Sequence, residues 1–144
     1  MRLNVQTDYA LRLLMYLAVN QGRLCTISEI ATTHAISRHH LVKVAHRLSS
    51  RGFVKSVRGR GGGLELARAA EQIHIGSVVR ATENDFNIVD CFHNSEACAI
   101  ASGCRLKRVL DQATAAFLAV LDEQTIFDLT QRNPVLRSLF IAQG

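Results

Sequence analysis

The sequence predicts a mainly α-helical fold with one small β-hairpin. Three features support this prediction: two short amphipathic segments joined by a tight turn, a glycine-rich stretch between two β-type runs, and a long late segment with apolar residues every three or four positions. With 144 residues, 48% of them hydrophobic, the chain is long enough for one domain with a core, or for a small domain with an additional element.

The first predicted helix covers residues 7–20 and is apolar on almost every side, so we expect it to lie in the core. Either Asn4 or Thr7 can cap its start. A second, short helix is predicted to begin after Thr26, because Thr26 and Glu29 have the spacing of a capping box.

The third predicted helix, Arg38–Ser50, follows a tight turn at residues 35–36 and is capped by Ser37. Two short helices joined by such a turn, the second with a basic outer face, have the geometry of a helix-turn-helix. The positions expected to face inward are Leu41, Val44, Ala45 and Leu48.

A β-hairpin is predicted directly after the third helix. Residues 53–57 and 64–67 are typical of its two strands, and residues 58–63 (RGRGGG) form a glycine-rich tip. A hairpin in this position is the wing of a winged helix-turn-helix. No Gly-Lys-Ser/Thr follows the glycines, which excludes the phosphate-binding loop of an ATPase.

Positive charge is concentrated in the first part of the chain. Residues 1–82 carry twelve Lys and Arg against four Asp and Glu, whereas residues 83–144 carry five against eight. No acidic residue occurs from Ile30 to Leu64. A one-sided basic block of this kind indicates a polyanion as partner, and a merely solvated basic face is the alternative.

Because the basic block coincides with the helix-turn-helix and the wing, we expect the polyanion to be double-stranded DNA. The candidates for major-groove contacts are His39, His40 and Lys43, and those for the minor groove are Arg58 and Arg60. The candidates for backbone contacts are Arg38, Arg47 and Lys55, together with Ser37 at the start of the third helix.

After the wing, the sequence predicts two short helices, at residues 75–82 and 125–131, and one long helix at residues 105–123. The long helix has an apolar seam that its own subunit offers little to cover, so we expect it to pair with a second copy of the chain. Pro134 is expected to end the regular structure. The seam consists of Leu106, Leu110, Ala113, Phe117 and Val120.

Three of the four cysteines lie in one loop before the long helix. Six residues separate Cys91 from Cys98, and five separate Cys98 from Cys104. Clustered cysteines in an intracellular chain indicate metal or redox chemistry, and structural zinc sites usually use gaps of about two to four residues. The wider gaps favour an iron–sulfur cluster, with zinc and a thiol redox switch as alternatives.

A four-iron cluster needs one ligand more than these three cysteines. Cys25 is a candidate, but its position at a helix entrance favours a small buried hydrophobe. His93 and Glu96, inside the loop, are expected to be solvated polar groups.

The predicted elements divide the chain into three parts. We expect a DNA-binding domain at residues 1–82, a cluster-binding connector and loop at residues 83–104, and a dimerisation helix with a C-terminal tail at residues 105–144.

The sequence also argues against two other classes of protein. The longest apolar run, residues 13–19, is far too short to span a bilayer, and the N-terminus has no signal-peptide cleavage pattern, so we expect a cytoplasmic protein. We do not expect an enzyme, because no Ser/His/Asp, paired-carboxylate or nucleotide-binding constellation appears.

Four stretches occur in a telling order along the chain: TDYALRLLMYLA, SRHHLVKV, VRGRGGGLELA, and a C-x6-C-x5-C loop that runs into CRLK. Together they resemble the winged-helix iron–sulfur repressors, and among them the members that sense nitric oxide. The resemblance covers nearly the whole chain. It implies a homodimer whose long helices cross and which binds a palindromic operator through the third helix and the wing. It also implies one cluster per subunit, which nitric oxide attacks to end repression.

The resemblance further implies the ligands of that cluster: Cys91, Cys98 and Cys104, with Asp8 supplied by the partner subunit. A 4Fe–4S cluster is thereby favoured over a 2Fe–2S cluster. The related regulators of cluster assembly use a histidine three residues after the last cysteine, where this chain has Lys107. The alternative functions are a regulator that senses cluster supply or redox state and an iron–sulfur electron carrier, although a carrier needs no acid-free winged helix.

Overall fold

The computed structural model describes residues 2–89, 92, 94, 96 and 98–141. This part of the chain forms seven α-helices and a two-stranded antiparallel sheet, with 3-10 turns at Ala70–Gln72 and Ala101–Gly103. The elements are α1 (Val5–Val19), α2 (Ile27–His34), α3 (Arg38–Ser50), β1 (Val54–Val57), β2 (Gly63–Leu66), α4 (Ile75–Thr82), α5 (Arg105–Asp122), α6 (Ile126–Gln131) and α7 (Pro134–Ile141).

Helix α1 lies at the centre of the core. Asn4 caps it, because its Oδ1 accepts a hydrogen bond from the backbone N–H of Thr7 at 2.9 Å. Leu13, Leu14 and Tyr16 are fully buried, and α1 packs against α3, α4 and α6. The predicted position of the first helix in the core is thus confirmed.

Helices α2 and α3 form the predicted helix-turn-helix. Thr26 and Glu29 make the capping box in front of α2, and Ala35 turns the chain in a left-handed conformation with φ 52°. Ser37 caps α3 by accepting a hydrogen bond from His40 N at 3.2 Å. The four residues of α3 that were expected to face inward are all buried: Leu41, Val44, Ala45 and Leu48.

Strands β1 and β2 form the predicted wing, which confirms the mainly helical fold with one hairpin. On its other edge β2 pairs with the link between α1 and α2: Cys25 N donates to Leu64 O at 2.9 Å, and Leu64 N donates to Cys25 O at 2.7 Å. A side chain at Gly63 would place its Cβ 2.7 Å from the same Cys25 oxygen, so this close approach requires glycine. The wing is therefore attached to the helical core by backbone contacts.

The C-terminal end of α5 is fastened to α4. Arg80 binds Asp122 through two hydrogen bonds, from Nη1 to Oδ1 at 2.5 Å and from Nη2 to Oδ2 at 2.8 Å. The carboxylate lies over Gly76, where a Cβ atom would collide with it. A backbone bridge between His74 and Thr125 adds a second attachment just beyond the helix. These contacts fix the end of α5 relative to α4.

The expectation that Pro134 ends regular structure is wrong, because Pro134 is the first residue of α7. Proline suits the first position of a helix, since the N–H that it lacks would have no partner there and its φ is already helical. Asn133 precedes it and accepts a hydrogen bond from Leu136 N at 2.9 Å, which caps the new helix.

Helix α7 packs back onto the start of the chain. Phe140 is only 5% exposed, and its ring lies 5.3 Å from that of Tyr16 and 5.2 Å from that of His34, measured between ring centroids. The C-terminal segment thus joins the core built by α1 and α2. Within the described ranges, no helix combines the length and the apolar character needed to cross a bilayer.

Candidate nucleic-acid interface and metal centre

All three residues predicted to contact the major groove, His39, His40 and Lys43, are exposed on α3. His39 and Lys43 are exposed and four residues apart, which places them on one side of the helix. His46 is exposed three residues further along the same side, although it was not among the predicted contacts. His39, Lys43 and His46 are spaced by four and three residues, and this helical spacing is the sequence signal that would have added His46 to the predicted contacts. We call His39, Lys43 and His46 the outer stripe of α3.

Two of the candidates on α3, the exposed His40 and the half-buried Arg47, also lie near α1. The His40 ring lies 6.5 Å from the ring of Tyr9, centroid to centroid. Arg47 is half-buried and donates from Nε to the Ala81 carbonyl at 3.0 Å and from Nη1 to Gln6 Oε1 at 3.3 Å. Arg47 therefore ties α3 to α1 and α4, and its predicted phosphate contact would compete with these bonds.

The wing presents its two arginines to solvent. Arg58 and Arg60 are both exposed at the tip, as insertion into a groove would require. Lys55 lies opposite Glu65 across the hairpin at 3.7 Å, with both side chains largely exposed. Such a pair is weak, so Lys55 keeps its ability to reach a phosphate.

The acidic residues that border the basic block have partners of their own. Glu29 accepts hydrogen bonds from Thr26 N at 3.0 Å and from Arg23 Nη1 at 2.7 Å. Burial opposes ionisation of Glu29, but these hydrogen bonds outweigh it and hold the pKa of the carboxyl below its ordinary value. The carboxylate charge is thus compensated at the edge of the basic surface.

The structure describes two of the three loop cysteines, and Cys91, like His93, lies outside the described residues. Cys98 and Cys104 are free and partly exposed. Cys104 directly precedes α5, whose start has no side-chain cap and whose first turn has no acidic residue. Arg105 and Lys107 follow it. Sulfur ligands that are free and partly exposed can be reached by a soft metal centre.

Cys25 does not share these properties. It is fully buried, as expected for a small hydrophobe. Burial raises the pKa of its thiol to about 11, which disfavours the thiolate that binds metal. Among the described residues of one chain, no group of three or more His, Cys, Asp and Glu side chains is placed to hold a metal ion.

Asp8 stands in the first turn of α1 with its side chain 48% exposed. Its carboxylate accepts a hydrogen bond from Arg12 Nε at 3.1 Å and forms an ion pair with Arg12 Nη2 at 3.0 Å. It borders a surface cleft of about 420 Å³ together with residues 2–5. Asp8 is therefore accessible to a second molecule, as a ligand supplied in trans must be.

The start of α1, which carries Asp8, is held by the end of α4. The Glu83 carboxylate accepts hydrogen bonds from Asn4 N at 2.8 Å and from the Thr7 hydroxyl at 2.5 Å. The Thr82 hydroxyl, which is buried, donates to Thr7 Oγ1 at 2.9 Å. The orientation of Asp8 is thus set jointly by α1 and α4.

None of the 18 residues of α5, all of them described, is buried within its own subunit. Leu110 and Phe117 are half-buried, and Phe117 lines a cavity of about 440 Å³ beside Phe86. The exposed apolar residues of the seam instead recur at intervals of three, four, three and four. This exposed seam consists of Leu106, Val109, Ala113, Ala116 and Val120.

Known proteins similar to this chain are transcriptional regulators by name. The chain matches the Rrf2 family model, described as an iron-dependent transcriptional regulator, over residues 3–132. It is 48% identical to the HTH-type transcriptional regulator NsrR of Bacillus subtilis over 141 residues, which cover 96% of this chain and 97% of that protein. It is 43% identical to the protein of the same name from Bacillus licheniformis, covering 96% and 99%. The solved structure of CymR (YrzC), described as the global cysteine regulator of B. subtilis, matches with a TM-score of 0.75 at 26% identity and covers 92% of this chain and 98% of that one.

Proposed function

The chain belongs to the Rrf2 family of iron-dependent transcriptional regulators, and on this premise we propose that it is a DNA-binding repressor, active in the cytoplasm, whose operator affinity depends on a nitric-oxide-sensitive iron–sulfur cluster. Its relatives are regulators and not enzymes. The observation that carries DNA binding is the outer stripe of α3, exposed and basic, next to a wing with two exposed arginines.

The two parts of this surface serve different grooves. The outer stripe of α3 enters the major groove, where imidazole and ammonium groups donate hydrogen bonds to base edges. Arg58 and Arg60 of the wing enter the adjacent minor groove, whose negative potential attracts guanidinium groups. Arg38, at the exposed start of α3, contacts a phosphate and fixes the position of the helix without reading sequence.

The exposed seam of α5 pairs two subunits. Its intervals of three and four residues match those of helices that pack against each other at a shallow angle. Burial of this seam in a homodimer places two α3 helices in a symmetric arrangement, and that arrangement matches a palindromic operator.

Cys91, Cys98 and Cys104 would hold one cluster per subunit, and Asp8 of the partner would be the fourth ligand of a 4Fe–4S cluster. When bound, the cluster supplies an iron centre with which nitric oxide reacts. The carboxylate of Asp8 is a hard ligand and would hold iron less firmly than a thiolate would. Asp8 would thereby link α1 of one subunit to the cysteine loop of the other. Because α1 packs on α3, this link would connect the cluster site to the recognition helix.

DNA binding is tested by the salt dependence of operator affinity. A dimer that neutralises about six to ten phosphates should give a log–log slope of about −5 to −9, and its footprint should show two half-sites about 10–11 base pairs apart. Arg38→Ala should reduce the slope by about 1 per contact. Arg132→Ala, exposed on the far C-terminal segment, is the matched control and should leave the slope unchanged. A slope near zero would refute DNA binding by this surface.

The cysteine ligands are tested by iron and sulfide content of four Cys→Ala variants purified without oxygen. The variants at Cys91, Cys98 and Cys104 should each lose the cluster, and the Cys25 variant should keep it because the buried Cys25 thiol is not available to metal. A near-normal cluster in any of the first three, or complete loss in the last, would refute the assignment.

The role of Asp8 is tested with mixed dimers. One subunit carries Asp8→Ala and the other lacks the three loop cysteines, so the only complete loop faces an intact Asp8. This dimer should have an absorption spectrum of wild-type shape at half the intensity, because it holds one cluster where wild type holds two, and that cluster should respond to nitric oxide as in wild type. The Asp8→Ala homodimer should be altered in both spectral shape and response. A homodimer indistinguishable from wild type would mean that the fourth ligand lies elsewhere.

The signal is tested by absorption spectra and operator binding before and after one dose of nitric oxide without oxygen. Bleaching of the cluster should coincide with release of DNA. If hydrogen peroxide or iron chelation released the operator and nitric oxide did not, the protein would instead be a regulator of redox state or cluster supply.

A further inference from the structure

Val42 is an apolar residue in the middle of the proposed DNA-binding surface. Its side chain is 48% exposed, although the inward side of α3 is already filled by four buried residues. Val42 is three residues after His39 and four before His46, and it directly precedes Lys43. It therefore lies within the outer stripe of α3, between groups that face the same way.

The chemistry of this position differs from that of its neighbours. Among the exposed residues of α3, all of which the structure describes, Val42 alone has a purely apolar side chain, and the others are Arg, His, Lys and Ser. A single exposed valine elsewhere would need no explanation. Here every other exposed side chain of α3 can donate a hydrogen bond to a base or a phosphate, and a valine side chain cannot.

The major groove offers one apolar group to such a side chain. Its base edges present hydrogen-bond acceptors and donors at guanine, cytosine and adenine, and only thymine adds a C5-methyl group. We propose that Val42 determines specificity by packing against the C5-methyl group of one thymine in each operator half-site. This inference rests on the proposed function, because it requires α3 to lie in the major groove.

The test removes the methyl group and leaves the base pair intact. An operator is first selected from random DNA duplexes with the wild-type protein, and each thymine is then replaced by deoxyuridine. One thymine per half-site should be sensitive, with affinity falling about fourfold, as expected for loss of one buried methyl group. Replacement in both half-sites should lower affinity about fifteenfold if the two contacts are independent.

The protein side of the test is Val42→Ala, which removes both methyl groups at an exposed helical position and favours the helix. This variant should bind the thymine operator several-fold more weakly and should lose the sensitivity to deoxyuridine at that one position only. Val135→Ala, the same change at a 69% exposed position of α7, is the matched control and should retain the wild-type profile.

Two outcomes would overturn the role of Val42: a wild-type protein with no methyl-sensitive thymine, or a Val42→Ala variant with the wild-type deoxyuridine profile. Failure of the wild-type protein to select any DNA is a different result. It would overturn the proposed function itself, and with it the contact.

Discussion

At the scale of single residues, the position of the wing depends on Gly63. Its missing side chain lets β2 pair with the backbone of Cys25. We expect Gly63→Ala to lower the free energy of unfolding by about 1–3 kcal/mol, since a Cβ atom 2.7 Å from a backbone oxygen cannot be relieved by rotating a side chain. Urea denaturation at one fixed protein concentration measures this change.

The control for this prediction is Gly103→Ala. A Cβ at Gly103 would have no atom within 4 Å, so the same substitution there should change stability little. Equal losses at the two positions would show that the cost comes from replacing glycine as such and not from the contact with Cys25.

The buried thiol of Cys25 predicts how the stability of the protein depends on pH. The pKa of its thiol is raised to about 11 by burial, so the folded protein keeps a proton that the unfolded chain releases from about pH 9 upward. The stability contributed by Cys25 is therefore complete below pH 9 and is lost as the pH rises toward 11. The difference in unfolding free energy between wild type and Cys25→Ala should shrink over that interval. A constant difference would contradict a buried, protonated thiol.

At the scale of elements, α7 stabilises the helix-turn-helix from outside. Phe140 is the contact between α7 and the rings of Tyr16 and His34. Phe140→Ala should destabilise the protein by up to about 3 kcal/mol, because it empties a buried aromatic site. Leu139→Ala, one residue earlier and 58% exposed, should have little effect. If both variants unfolded at the same urea concentration as wild type, α7 would not be docked in solution.

The elements differ in how well the sequence predicts them, because only some of them have an unambiguous signal close to their ends. The bounds of α3 and the cap of α2 are predictable because their signals, Ser37 and the pair Thr26 and Glu29, lie within three residues of the helix starts. The start of α7 is harder to predict, since a proline can end one helix or begin another. Asn133 as a cap in front of Pro134 is the local signal that favours a new helix here.

The candidate site likewise has some features that the sequence predicts and others that it does not. Periodicity predicts that α3 has an outer face, and the exposure of His39 and Lys43 agrees with it. Periodicity does not predict that Arg47 bonds to the Ala81 carbonyl, because α4 is more than thirty residues away in sequence. The same holds for the seam of α5, where packing against the subunit itself half-buries Leu110 and exposes other positions.

At the scale of the whole molecule, the exposed seam of α5 gives a prediction about assembly. Val109→Asp would place a charge in a buried apolar contact of the proposed dimer, which costs several kcal/mol when the charge has no partner. The variant should sediment as a monomer and should lose operator binding, because one half-site alone provides only half the contacts.

Ala115→Asp is the matched control for assembly. Ala115 is exposed on α5 but lies on the opposite side from the seam, so its variant should remain a dimer that binds DNA. A dimeric Val109→Asp protein, or a monomeric Ala115→Asp protein, would place the subunit contact on a different face of α5.

Because the C-terminal end of α5 is attached to α4 at Asp122, a movement of the other end of α5 tilts the helix about Asp122, here called the fulcrum. At about 1.5 Å per residue, the 18 residues of the helix put Cys104 about 27 Å from that fulcrum. A displacement of about 3 Å at Cys104 therefore corresponds to a tilt of about 6°. Arg80 and the bridge between His74 and Thr125 join the end of α5 to α4, and Glu83 joins α4 to α1, so we expect part of this tilt to be passed on to both helices. We therefore expect small movements of the cysteine loop to reach the helix-turn-helix as a rotation, which would displace the wing tip more than the core.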